Sequence, residues 1–210
     1  MSFPVLYGSK EDVVTLTLQP DATAGVDTDL NLSSPGSNYG TATDMMAYTT
    51  VVGPNVFSTI LIKFDLSSIP SGANIRKVTL SLYAFSTMGG AGTVNVYRIL
   101  AANNSWTEAG ATWQHQVGTT NWAGGHNGCN VADTDYDSTV MGSFAVTTGE
   151  VTGTVYNISL SIAQFKLMLA TNRGMMLFSP LGITPLGMAL FCTSDHATAA
   201  YHPKLTVVYE

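Results

Sequence analysis

From Ile75 to Phe85 the chain alternates two sets of side chains: Ile75, Lys77, Thr79, Ser81 and Tyr83 fall on one face, Arg76, Val78, Leu80, Leu82 and Ala84 on the other. A period of two sustained over about ten residues belongs to a strand with one buried face, and a helix cannot accommodate it. The same character recurs at Val13–Leu18, at Thr59–Leu66, at Thr93–Ile99 after the turn Gly89-Gly90-Ala91-Gly92, at Gly174–Phe178, at Met188–Cys192 and at Lys204–Tyr209. Turn-forming residues separate these runs, most densely in Asp21–Thr43, where Ser33-Ser34-Pro35-Gly36 and Asn38-Tyr39-Gly40 mark a long loop.

Composition says the same. Only 10% of residues are charged against 45% hydrophobic, and 27 Thr with 18 Ser take the place of the missing charge. Charged side chains populate exposed helix faces, whereas Thr, Val and Tyr fit a half-solvated sheet. One helix is expected. Ser161-Ile162-Ala163-Gln164 reads as a capping box, Ile162, Phe165, Met168 and Leu169 follow at helical spacing, and Asn172 and Gly174 supply the exit. The expectation is an all-β jelly-roll β-sandwich of two antiparallel sheets with one short helix near 161–171. One domain is expected over 13–210, preceded by an N-terminal arm over 1–12 in which Phe3, Val5, Leu6 and Tyr7 would lie on a neighbouring subunit.

Charge narrows the partners. The net charge is −6, and eight basic residues, of which only Arg76 and Lys77 are neighbours, make no phosphate-neutralising stripe, so nucleic acid is not expected as a partner. No apolar run is long enough for a membrane span, and Met1–Lys10 lacks the basic start and apolar stretch of a secretory signal. Between Arg98 and Lys166 there is no basic residue, while Glu108, Asp133, Asp135, Asp137 and Glu150 make this the most acidic part of the chain. Cys129 and Cys192 are read as buried thiols, since a bridge would need their Cα atoms within about 7 Å.

The candidate sites are few. Asp133, Asp135 and Asp137 place three hard oxygen donors at alternate positions, a pattern that suits a structural Ca²⁺, the one metal or cofactor to consider. Ser138 and Phe144 stand where an EF-hand would need Gly and an acid. Asp21, Asp27 and Asp29 form a weaker cluster of the same sort. His126 with Cys129 is half a zinc site. There is no Gly-x-Ser-x-Gly elbow, and Ser194-Asp195-His196 are sequence neighbours rather than a triad, so no catalytic residue is assigned and no enzyme is expected. Trp122, Tyr136, Tyr39 and Tyr48 lie in turn-rich segments, where exposed rings would stack on sugars or anchor a protein interface.

Several motifs taken in order carry a family resemblance. Phe64-Asp65-Leu66-Ser67-Ser68-Ile69-Pro70-Ser71-Gly72-Ala73-Asn74-Ile75 resembles the central motif of the DNRLRE domain, also called the disaggregatase-related repeat. Asp21-Ala22-Thr23, Asn38-Tyr39-Gly40, Val78–Tyr83, Ser105-Trp106-Thr107-Glu108 with Ala111-Thr112-Trp113, Trp122–Gly125, Asn172-Arg173-Gly174 and His202–Val207 resemble its other elements in the family's order, with His202 where Arg is common. The resemblance implies a jelly roll of the carbohydrate-binding-module kind, with Phe64 and Leu66 in the core, Pro70 and Gly72 in a turn, and Trp106 and Trp113 packing at the sandwich rim. Such domains accompany secreted polysaccharide lyases, some binding acidic glycans, and similar ones serve in phage virions.

Two functions are therefore expected in competition. The first is a non-catalytic virion structural protein, a capsid decoration or fibre protein on the virion surface. Its partners would be copies of itself as a homo-oligomer (a trimer foremost), the major capsid protein or another virion protein, and a surface glycan. The low charge and the uncharged start Phe3-Pro4-Val5-Leu6-Tyr7 favour it, because contact cores are depleted of charge. The alternative is a carbohydrate-binding module of a secreted polysaccharide-degrading enzyme.

Overall fold

A computed structural model of the chain describes residues 12–20, 26–49, 57–86, 91–125, 128–179 and 188–210. The strands among them are β1 (Val14–Leu18), β2 (Val26–Asn31), β3 (Asp44–Thr49), β4 (Phe57–Lys63), β5 (Ile75–Tyr83), β6 (Gly92–Arg98), β7 (His115–Val117), β8 (Thr120–Asn121), β9 (Gly142–Val146), β10 (Val155–Ser159), β11 (Met175–Phe178), β12 (Ala189–Cys192) and β13 (Lys204–Tyr209). A single α-helix, α1 (Ile162–Ala170), joins β10 to β11. One antiparallel sheet runs β1-β13-β5-β10, and a second runs β12-β3-β4-β11-β6-β9 with β2 also paired to β4. The Ala84–Phe191 bridge ties the end of β5 to β12, so the sheets curl toward a half-barrel. The all-β sandwich is as expected.

Alternation along the strands makes the core between the sheets. Val78, Leu80 and Leu82 of β5, Ile60 and Ile62 of β4, Val94 and Val96 of β6, and Leu205 and Val207 of β13 all face it. In β5 the alternation breaks once. Tyr209 pairs with Ile75 and Val208 with Lys77, a bulge that changes the phase and turns Ile75 into the core instead of leaving it on the Lys77 face.

A second core lies on the other face of the larger sheet. Leu61, Met176, Phe178 and Tyr97 point away from the first core and are covered by Trp106, Trp113, Trp122 and Tyr136. The segment between β6 and β9 is therefore a third layer, and Trp106 and Trp113 cover a sheet face rather than the sandwich rim. Buried polar groups fasten it. Arg98 donates to Asp137 at 2.7 Å and to Gln164 at 3.2 Å. Asn103 Nδ2 donates to the Asp135 carboxylate at 3.1 Å, and Gln116 Nε2 to Asn103 Oδ1 at 3.1 Å.

Helix α1 starts at Ser161, whose hydroxyl accepts the Gln164 N–H at 3.4 Å. The reciprocal half of the expected box is not made, because the Gln164 side chain accepts from Arg98 instead. Cys129 and Cys192 are both free and buried.

Candidate functional site

The connection from β4 to β5 and the end of α1 enclose a groove. Phe64, Leu66 and Ile69 bury their side chains and pin the connection to the core. Pro70 O accepts the Ala73 N–H at 3.1 Å, closing a tight turn in which Gly72 takes φ +91°, a conformation that favours glycine. Asp65 Oδ1 accepts the Ser67 N–H at 2.9 Å, which holds its exposed carboxyl below the usual range. Across the groove, Asn172 Nδ2 donates to Phe64 O at 2.7 Å and its Oδ1 accepts from Gly174 N at 3.1 Å. The result is two adjoining hollows that share Asp65 and Asn172: one of about 490 Å³ between the Leu66–Ala73 turn and Leu169–Ala170, and one of about 280 Å³ reaching Lys63 and Val26.

The smaller hollow is lined by one cation and one anion, Lys63 and Asp65. Lys63 Nζ sits 4.6 Å above the Trp106 ring, and Trp106 Nε1 donates to Arg173 O at 2.8 Å. Arg173 lies near enough, together with burial, to depress the Lys63 pKa. The Arg173 Nε is buried without a hydrogen-bond partner. Among the described residues neither cation has a carboxylate within 4.0 Å, whereas Arg98 and Arg76 pair with Asp137 and Glu210. Lys63, part-buried and without a carboxylate within 4.0 Å among the described residues, is the cation that lines the groove, and a lysine so placed can pair with a carboxylate or sulfate.

The aromatic residues singled out in the sequence fall elsewhere. Trp122 is 2% exposed and Tyr136 8% exposed, both inside the second core. Trp122 Nε1 donates to Thr112 O at 3.0 Å, and the Tyr136 ring packs against Tyr97 at 4.9 Å. The open ring faces expected of these two residues are not there, because the sheet beneath them had apolar side chains to cover. Tyr39 and Tyr48 are half-buried, and Tyr48 belongs to β3 rather than to a loop.

The acidic loop is also internally committed. Asp135 is fully buried, with Oδ1 accepting from Gly124 N at 2.8 Å and Oδ2 from Val131 N at 2.9 Å. Asp137 pairs with Arg98, and Asp133 Oδ1 accepts from Ser138 N at 3.0 Å. The three carboxylates accept from three different sets of protein donors. Among the described residues no three His, Cys, Asp or Glu side chains gather to hold a metal. Phe3, Val5, Leu6 and Tyr7 lie outside the described residues, as do Asp21 and His126.

Of the weaker cluster, Asp27 and Asp29 point inward from β2. Asp27 Oδ2 accepts from Ser194 N at 2.9 Å, and its backbone N–H donates to Glu108 Oε1 at 3.0 Å. Asp27 Oδ1 has no partner. Burial, aided by Glu108 and Asp195, raises the Asp27 pKa to about 7, and burial beside Asp44 does the same for Asp29. Ser194-Asp195-His196 form no triad, since the His196 ring packs on Phe85 and Tyr201 and its Nδ1 accepts from Thr198 N at 3.1 Å.

Lys63, Asn172 and Arg173 were not singled out from sequence as binding residues. Their signal was there, in that the two motifs they flank or form, Phe64–Ile75 and Asn172–Gly174, make opposite walls of one groove. No helix among the described residues is long and apolar enough to cross a membrane.

A search of curated proteins finds no match to the chain. The model of carbohydrate-binding module family 96 matches residues 15–139, a span that includes Lys63, the Phe64–Ala73 wall and the tryptophan layer. With more than half of its length matched, the chain belongs to carbohydrate-binding module family 96.

Proposed function

We propose that this chain is a non-catalytic module that holds a glycan in the Lys63–Asn172 groove, with Lys63 and Arg173 meeting an anionic group on the sugar. The observation that carries the reading is Lys63, which lines the groove without a carboxylate within 4.0 Å among the described residues, in a chain of a carbohydrate-binding family. In a chain of net charge −6, a lysine that lines a groove and is part-buried without a carboxylate partner suits an external anion. Asn172 offers a polar edge beside them for sugar hydroxyls, although its amide is engaged with Phe64 and Gly174. A secreted polysaccharide-degrading enzyme is the setting this chemistry suits. A place on a phage shell draws on the family resemblance and the uncharged start Phe3-Pro4-Val5-Leu6-Tyr7, and the groove adds nothing to it.

Affinity electrophoresis through gels containing a polyuronate, a sulfated glycan or a neutral glucan tests the reading. The wild-type chain is expected to be retarded by an acidic polymer, less so at high salt, and Lys63→Met to migrate freely. Equal retardation of the two proteins, or retardation by the neutral glucan alone, overturns it.

A further inference from the structure

We infer that β1 is a dimerisation strand, through which two copies of the chain pair antiparallel about a two-fold axis at Leu16 and join their smaller sheets edge to edge. β1 is an edge of the sheet β1-β13-β5-β10, and among the described residues no strand pairs with its outer side. The opposite edge, β10, is covered. A methyl group on Gly142 of β9 would touch the Ile158 and Leu160 side chains, and Ser161 N donates to Met141 O at 2.7 Å. A free edge presents unpaired backbone donors and acceptors, and proteins that stay single blunt it with charge, proline or a bulge. β1, Val14-Thr15-Leu16-Thr17-Leu18, holds no charged residue, glycine or proline, and it pairs with β13 in unbroken register. Apolar surface is also left open along it. Val13 and Val14 are 63% and 41% exposed, and Leu16 and Leu18 reach the core yet stay half-buried.

A second β1 fits this edge. With Leu16 opposite the partner's Leu16, Val14 falls opposite the partner's Leu18 and Thr15 opposite the partner's Thr17. A two-fold axis normal to the sheet keeps both cores on one side, so aliphatic side chains meet aliphatic ones there and threonines meet on the outer face. The fold already uses this pairing chemistry at the other side of β1, where Leu16 lies opposite Val207, and Thr17 opposite Thr206 with the two hydroxyls 3.4 Å apart. Charge does not oppose the match, because Asp12 falls opposite the partner's Pro20 and Val13 opposite the partner's Gln19. Val14, Leu16 and Leu18 of both copies are covered in one apolar row. A contact of this length is smaller than a standard interface, which sets the dimer constant on the order of 10–100 μM.

Sedimentation velocity of the full chain between about 5 and 500 μM tests the proposal. The wild-type chain is expected to pass from monomer to dimer across this range. Thr15→Lys with Thr17→Lys sets lysine opposite lysine at both outer pairs and should weaken the dimer at least about tenfold. Thr15→Lys with Thr17→Glu sets lysine opposite glutamate and should dimerise as well as wild type. Both double variants replace the same two exposed residues on the outer face, so the contrast between them reports charge across the pair and not bulk. A wild-type chain that stays monomeric, or an association that the double-lysine variant leaves intact, overturns the proposal. A lysine–glutamate variant as dissociated as the double-lysine one overturns the antiparallel register.

Discussion

Lys63 and Trp106 are in face-on contact, the ammonium 4.6 Å from the ring centre, and the same indole donates its N–H to the Arg173 carbonyl at 2.8 Å. One side chain, 2% exposed and embedded in the second core, therefore touches the Lys63 ammonium and holds the Arg173 backbone. The tryptophan layer contributes to binding from behind, as a support, instead of through exposed ring faces.

Trp106→Phe separates support from packing. The substitution keeps an aromatic ring in the core but removes the donor to Arg173, for which the expected cost is about 1–3 kcal/mol in stability. Acidic-glycan affinity should fall as well, since the Arg173 backbone loses its anchor and Lys63 rests on a smaller ring. Lys63→Met should lower affinity with almost no change in stability, because the lysine is half-exposed and makes no ion pair among the described residues. Urea unfolding and affinity electrophoresis on the two variants check the contrast. A Trp106→Phe protein that binds like wild type would show that Trp106 only fills space.

Asp135 is the keystone of the third layer. Its carboxylate accepts from Gly124 N, Val131 N and Asn103 Nδ2, and the Asp135 carbonyl accepts from Asn103 and Leu100. Asp135→Ala removes the carboxylate acceptor shared by Gly124 N, Val131 N and Asn103 Nδ2 and leaves the carbonyl in place, with a loss on the order of 3 kcal/mol. Asp133→Ala, on an exposed residue that caps one turn, should cost well under half as much. Denaturant midpoints of the two variants decide it, and equal losses would mean that the layer is held by its tryptophans alone.

Strands with strict alternation were legible because one buried face imposes a period of two, and β5 and β13 show it. β2 and β3 were hidden in a segment that reads as turns. β2 carries Asp27, Thr28 and Asp29, all buried, and polar residues inside a sheet reverse the pattern that marks a strand. The third layer was unreadable for a related reason. The outer faces of β4, β6 and β11 carry Leu61, Tyr97, Met176 and Phe178, so these strands are apolar on both sides, and an apolar run does not say what covers its second face. Loop aromatics such as Trp122 and Tyr136 look free in sequence for that reason alone. The cationic couple was invisible because Lys63 and Arg173 are far apart in the chain and meet only through the register of β4 with β11, where Met175 pairs with Ile62.

Two glycines of the groove should respond differently to a methyl group. Gly72 has φ +91° with nothing within 4 Å of the position a Cβ would take, so Gly72→Ala carries only the backbone cost, about 1–2 kcal/mol. Gly174 has φ +89°, and its Cβ would stand 2.7 Å from Ile62 O and 3.1 Å from the Trp106 ring. Gly174→Ala must push β11 off β4 or shift Trp106, and should cost more than Gly72→Ala and weaken glycan binding besides. Unfolding curves and affinity gels on both variants test this. Equal destabilisation would deny the close approach of Gly174 to β4.

The pH dependence of stability follows from β2. Asp27 faces Glu108, Asp195 and Ser194, while Asp29 faces Ser58 and Asp44, and both carboxyls are raised from 3.8 to about 7. A raised carboxyl keeps its proton in the folded chain where the unfolded chain has lost it. The folded state therefore binds more protons between about pH 4 and pH 7, and stability falls as pH rises through that window, by up to about 1.4 kcal/mol per unit for each group. Below the window the opposite sign takes over, because Asp137, held low by Thr139 and Arg98, loses its stabilisation as it protonates. Maximum stability is thus expected on the acid side, at about pH 4–5, which is lower than for most domains. Asp27→Asn keeps an acceptor for Ser194 N and adds a donor toward Glu108 and Asp195. It should match wild type at about pH 4 and exceed it by about 1 kcal/mol or more at about pH 8. Urea midpoints for the two proteins across this range measure both slopes, and a wild-type stability that climbs from pH 4 to pH 7 would show that Asp27 and Asp29 are ionised inside the fold.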